Sequence, residues 1–184
     1  MAVPEGLLAQ LKESEGFRGE YYNDKEDGTG TETIGYGFTA AILDGKDGRP
    51  SFADYPDGMT QAQADEILEK HVLPPYVKEV KRNVKDWDNL NDAQQSSLVD
   101  LNYRNGLGTM RSSGIFKLVN NSDWEGVSEV ITSGPLSKVD GVVVKEGDGY
   151  DGIIKRNEHN ASAFGKSSVA EKNIDFRDVS QQKL

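Results

Sequence analysis

Two acidic side chains, Glu15 and Asp24, are the first groups along the chain whose type and spacing suit catalysis. Glu15 follows Leu7 and Leu11 at helical spacing, which predicts that all three share one face of a helix turned toward the core. A carboxyl set against apolar surface at the negative end of a helix resists ionisation, so Glu15 is suited to hold a proton near neutral pH and act as a general acid. The alternative is a solvated glutamate near a helix end. Asp24 follows Glu15 by nine residues, which span about 30 Å when extended, but Gly16, Gly19 and a following hairpin let the chain double back. An aspartate in a polar, partly hydrated setting stays ionised and activates water or stabilises a cation, the division of labour that glycosidic cleavage requires. An aspartate beside a turn also commonly caps backbone amides, and the two readings of Asp24 stay open.

Other polar positions carry weaker signals. Gly35 and Gly37 let strand backbone approach a ligand, or simply form a tight or bulged hairpin. Thr33 reads on its own as a β-branched strand former. Asn102, Tyr103 and Asn105 offer amide and phenol groups that could hydrogen-bond a polar ligand, with helix packing and C-capping before Gly106 as the plainer account. His71 and His159 lack metal-ligand spacing, and Asp24, Asp27 and Thr29 miss the calcium-loop pattern, so no metal is expected. Trp87 and Trp124 sit among helical apolar residues and read as core anchors.

The elements that must position these groups follow from periodicity and punctuation. Pro4 and the spacing of Leu7, Leu8 and Leu11 predict a helix over residues 4–15. The segments around Tyr21-Tyr22 and Thr31–Tyr36 flank Asp27-Gly28-Thr29-Gly30 and predict a small antiparallel sheet. Residues 44–58 are rich in Asp-Gly and proline and predict loop. Thr60 with Gln63, Asn91 with Gln94, and Ser122 with Glu125 predict three helix starts, with Pro74-Pro75 interrupting the first helix and Asn105-Gly106 stopping the second. A second segment from Tyr76 to Val84, a short helix over Ser113–Asn120, a loop or hairpin near Val139–Val144 and Gly147–Gly149, and a last helix ending before Gly165 complete the pattern. Residues 166–184 read as a polar tail.

The 184 residues contain no cysteine, 35% hydrophobic and 28% charged residues, which fits a globular chain and excludes thiol chemistry. The formal net charge is −10, so phosphate repulsion opposes nonspecific nucleic-acid binding, and nucleic acid is not expected as a partner. No apolar run suits a bilayer span or signal peptide, so neither membrane insertion nor self-export is expected.

Taken together, Glu15-Gly16-Phe17-Arg18, Tyr22-Asn23-Asp24 and Thr33-Ile34-Gly35-Tyr36-Gly37 resemble the motif E-G-x-R…Y-x-D…T-x-G-x-G of phage-type lysozymes, glycoside hydrolase family 24. Asp57–Leu68 resembles that family's sheet-to-helix junction, Gln95–Leu98 and Asn102–Gly108 its central helix and turn, and Gly152–Asn157 its G-L-x-x-R-R stretch, so the likeness runs over roughly residues 5–165. It implies hydrolysis of the β-1,4 bond between N-acetylmuramic acid and N-acetylglucosamine in peptidoglycan without a cofactor. Glu15 is then the acid, Asp24 the second carboxylate and Thr33 the hydroxyl positioning the attacking water. Arg156 supports Glu15, and Gly35, Asn102, Tyr103 and Asn105 contact substrate. Arg18 reads as sheet scaffold or as an ion-pair partner. An inverting reaction would place the carboxyl groups about 6.5–9.5 Å apart, a retaining one about 5 Å. The chain departs from the pattern in a longer Asp24–Thr33 stretch, in Phe38 where many relatives have histidine, in an expanded 40–57 segment, and in its acidity.

The expected fold is α+β and mainly helical, lysozyme-like, with a small antiparallel sheet lobe (residues 16–59), a helical lobe (1–15 and 60–165) and a cleft between them, in one domain over 1–165. The expected protein is a monomeric endolysin or virion-associated muramidase. It would act on peptidoglycan from the host cytoplasm with holin-like permeabilisation, or by delivery with a virion. A lytic transglycosylase and a noncatalytic wall-binding or virion structural protein are the alternatives.

Overall fold

Helix α1 spans Leu7–Glu15. The proline rule predicts a start at Pro4, but Gly6 adopts a left-handed conformation (φ 84°), which ordinary residues avoid, and the helix begins after it. The computed structural model describes residues 2–23, 30–46, 48–139, 142–143 and 150–166. Asp24, the Asp27-Gly28-Thr29 turn, Gly147–Gly149 and the tail beyond residue 166 lie outside the described residues. The chain divides into two compact units, Met1–Lys78 and Glu79–Leu184.

In the first unit, β1 (Arg18–Asn23), β2 (Glu32–Gly35) and β3 (Phe38–Thr39) form an antiparallel sheet in that order, as the sequence predicts. Ile34 pairs with Phe38, and both are fully buried, so these residues mark the core face. Thr33 pairs with Tyr22 on one side and Thr39 on the other. Directly opposed residues share a face, and alternation puts this row on the side opposite Ile34. A bulge breaks the β1–β2 register between Arg18 and Tyr22. Beside it the Gly19 carbonyl accepts from the Met59 amide at 2.8 Å. A Cβ at Gly58 would stand 2.5 Å from that carbonyl, so glycine is required there for this close approach.

The expanded 40–57 segment is anchored. Asp44 bridges to Ser51, Arg49 pairs with Asp44 at 2.9 Å, and Ser51 caps a 3₁₀ turn over Phe52–Asp54. The Tyr21 hydroxyl donates toward the Phe52 and Tyr55 carbonyls (3.0 and 3.1 Å), tying the segment to β1. Helix α2 (Gln61–Ile67) opens on the predicted capping box, with Thr60 and Gln63 satisfying each other's backbone amides. Pro74-Pro75 does not interrupt the helical path beyond α2. A π-helical turn over Leu68–Val72 leads into α3 (Leu73–Lys81), and the prolines occupy its first turn. The widened π turn already departs from the regular bonding that a proline would break.

Among the described residues, the regular structure of the second unit is helical apart from an antiparallel pair of short strands, β4 (Lys138–Val139) and β5 (Val142–Val143). Helix α4 (Asp92–Ser112) starts on the predicted Asn91–Gln94 capping box and breaks at Gly106, whose φ of 75° marks the expected stop, before another helical stretch resumes. Helix α5 (Ile115–Asn120) is followed by α6 (Trp124–Thr132). The cap of α6 is Asp123, accepting from the Gly126 amide, rather than Ser122, which takes a positive φ of 55°. Helix α7 (Asp151–Ala161) packs against α4 and α6 and runs into a last turn where Gly165 has φ 103°. Trp87 is buried, and Trp124 stacks on Phe164 at 5.9 Å, so both tryptophans serve packing as predicted.

Candidate active site

Glu15 is the last residue of α1, with Leu7 and Leu11 fully buried two turns and one turn before it. The shared face is as predicted, but the expected burial is not: Glu15 itself is exposed. The reason is its place at the end of the helix, where Gly16 (φ 67°) turns the chain toward β1 and the apolar stripe has run out. Apolar cover from the protein's own core therefore does not account for an acid role.

One turn before Glu15, Lys12 belongs to a polar cluster that joins α1 to α2 and the sheet. Its Nζ lies 2.6 Å from the Asp65 carboxylate, which also accepts from the Tyr36 hydroxyl at 2.7 Å, and Gln61 donates to that hydroxyl at 3.1 Å. Burial pushes the Asp65 carboxyl upward, but hydrogen bonds from Lys12 and Tyr36 outweigh it and hold the group below its ordinary range. The Asp65 hydrogen bond raises Lys12. Burial, helped by the bond to Asp65, raises Tyr36. The cluster fixes the helix that carries Glu15.

Thr33 lies in the same unit, on the sheet that follows α1. It is 4% exposed, and its hydroxyl donates to the Thr31 carbonyl at 2.9 Å. With the proton committed, the remaining function of the oxygen is acceptance, and a water beside it would be oriented by donating. Gly35 has φ 69°, and a Cβ there would stand 2.7 Å from the Phe38 ring and 3.0 Å from Met59 Sδ. Of the two readings of Gly35, the tight hairpin packed on its own core accounts for its backbone conformation. Phe38, in the position where the motif often carries histidine, is fully buried at the edge of the Tyr36 ring.

The remaining candidates lie in the second unit. Asn102 is fully buried and its Nδ2 donates to Glu79 at 2.9 Å, so it locks α4 to α3 and has no surface to offer a sugar. Asn105 donates to the Leu101 carbonyl one turn back at 3.0 Å, the C-capping role expected of an asparagine before a helix break. Tyr103 is half-buried on the same helix. Arg156 is held by Asp100, with Nη2 at 2.6 Å and Nε at 3.1 and 3.2 Å from the carboxylate oxygens.

Sequence reasoning missed Asp100, which is fully buried and also accepts from Asn160 at 2.6 Å. One turn along α4, Arg104 donates to the buried Asn157. Asp100, Arg104, Arg156, Asn157 and Asn160 thus zip α4 to α7. The available signals were an aspartate inside the apolar Leu98–Leu101 run, and Asn157, Asn160 and Ala161 at core spacing on the last helix.

Among solved structures, an endolysin from Escherichia coli O157:H7 phage FAHEc1 is similar at a TM-score of 0.67 and 25% identity, covering 91% of this chain and 95% of that one. A P22 lysozyme mutant is similar at 0.66 and 20% identity (89% and 98% covered). The muramidase domain of SpmX from Asticaccaulis excentricus is similar at 0.63 and 21% identity (88% and 96% covered). The last two likenesses concern the fold. No curated protein matches the chain. The phage lysozyme family matches residues 12–159, a span that holds Glu15, Asp24, Thr33 and Arg156. With most of its length matched in this way, the chain belongs to the phage lysozyme family and is a muramidase-type lysozyme, a hydrolase directed at peptidoglycan.

Proposed function

We propose that the protein cleaves the β-1,4 bond between N-acetylmuramic acid and N-acetylglucosamine by general acid catalysis with an activated water. Glu15 protonates the leaving oxygen, Asp24 is the second carboxylate, and Thr33 orients the water by accepting one of its protons. The observation that carries this reading is the pairing, in one compact unit, of a glutamate at the end of α1 with a buried threonine whose hydroxyl proton is already committed. Because Glu15 is exposed in the free protein, the bound glycan supplies the cover that excludes water at the moment of proton transfer. Arg156, oriented by Asp100, has a supporting role. The protein acts as a monomer and reaches the wall through holin-like permeabilisation or with a virion.

Product mass tests the reaction. Purified peptidoglycan digested by the protein is expected to give hydrated muropeptides with free reducing ends. Anhydro products, lighter by one water, would overturn hydrolysis in favour of intramolecular transfer, most firmly if Asp24→Asn leaves the rate unchanged.

A further inference from the structure

Three of the five tyrosines in the first unit, Tyr21, Tyr22 and Tyr36, differ in what their rings and hydroxyls do. Tyr21 packs edge-on against Phe52 and spends its hydroxyl on the Phe52 and Tyr55 carbonyls. Tyr36 packs among Phe17 and Phe38 and spends its hydroxyl on Asp65. Tyr22 does neither. It is half-buried, and among the described residues its hydroxyl has no partner and its ring touches no other aromatic ring. Against its ring lies the Arg18 guanidinium, centred 4.5 Å from the ring centroid.

The sheet explains the stacking. Tyr22 stands directly across from Thr33, so the two side chains share the face opposite the Ile34–Phe38 core. The register shifts between Arg18 and Tyr22, and such irregularities re-aim side chains. Arg18 is exposed. Cation–π stacking holds a ring in one orientation without occupying its hydroxyl. The result is an aromatic ring, a phenolic O–H and guanidinium N–H donors on the strand paired with Thr33, the threonine assigned to the water. Such a set matches the carbonyl and hydroxyl oxygens and the apolar ring faces of N-acetylated hexosamines.

We propose that Tyr22 is a substrate-contacting residue that holds an N-acetylated sugar beside Thr33, and that Arg18 positions the Tyr22 ring. This rests on the muramidase reading of the same site and adds a binding residue to it.

The test compares wild type with Tyr22→Phe, Tyr22→Leu and Arg18→Lys, measuring KM and kcat on soluble peptidoglycan fragments, and thermal midpoints. A second arm titrates Glu15→Gln protein, with and without Tyr22→Leu, with a tetramer of N-acetylglucosamine. Loss of one hydrogen bond is expected to raise KM about 3- to 10-fold in Tyr22→Phe with kcat within about twofold. Tyr22→Leu should raise it further. Arg18→Lys should have an intermediate effect, because an ammonium keeps the charge but cannot stack as a plane. Midpoints should stay unchanged, and Tyr22→Leu should weaken tetramer binding at least fivefold. Wild-type KM in all three variants, or equal tetramer affinity with and without Tyr22, would overturn the proposal while leaving the muramidase reading intact. A wild-type protein that binds the tetramer through Tyr22 yet releases no reducing ends would instead overturn the muramidase reading alone.

Discussion

Thr33 has an ordinary structural explanation and, on the proposed function, a chemical one. Its β-branched side chain suits the strand, yet its hydroxyl donates to Thr31, leaving an acceptor fixed in direction. Replacing the hydroxyl while keeping the shape separates the two roles. Thr33→Val is expected to lower kcat about 10- to 100-fold with little change in thermal midpoint, whereas Thr33→Ser should keep most of the activity. Asp100 is the contrasting case, buried and bonded to Arg156 and Asn160. Asp100→Ala leaves the Arg156 charge without its bidentate partner and is expected to cost about 3–5 kcal/mol, read from denaturant midpoints. Position 33 drew attention in the sequence only because its neighbours form a motif. The Asp100 network did not, since its partner lies 56 residues on and only the packing of α7 on α4 brings them together.

Among the elements, the helix starts at Thr60 and Asn91 were legible because a capping box is complete within four residues. The start at Ser122 was displaced by one because Asp123 offers the cap and Ser122 adopts the left-handed turn before it. Pro74-Pro75 misled because they fall in the first turn of α3, just after a π turn that has already left the regular bonding pattern. In the β2–β3 hairpin, Gly35→Ala combines a left-handed backbone with a clash on the Phe38 ring. It is expected to destabilise by about 2–4 kcal/mol, measured by thermal unfolding. The α1–α2 link has a pH signature. Asp65 titrates lower in the folded state than unfolded, so its contribution is full above the ordinary carboxylate range and fades as pH falls through the depressed folded value. Lys12 is raised, so its contribution is full below the ordinary lysine value and fades as pH rises through the folded one. The midpoint difference between wild type and Asp65→Asn should therefore be widest between about pH 5 and 9 and shrink outside that window.

On the scale of the whole molecule, the family and the mixture of a small sheet with many helices were readable from motifs in a fixed order, although no single motif would have sufficed. The exposure of Glu15 was not readable, because periodicity gives the face of a helix but not where the core beneath it ends. The net charge of −10 sets this chain against an anionic wall, and salt shortens the reach of that repulsion from about 30 Å at 0.01 M to about 8 Å at 0.15 M. Wall-lysis rates are expected to rise with salt over that interval, and a steep fall would mean that local cationic contacts dominate adsorption. The central claim is that a proton passes from position 15 to the leaving sugar. It is tested most directly by following the release of reducing ends from purified peptidoglycan by wild type and Glu15→Gln at matched concentration and folded fraction. We expect steady release by the wild type and at least a hundredfold loss in the variant; turnover by Glu15→Gln at the wild-type rate would contradict the account.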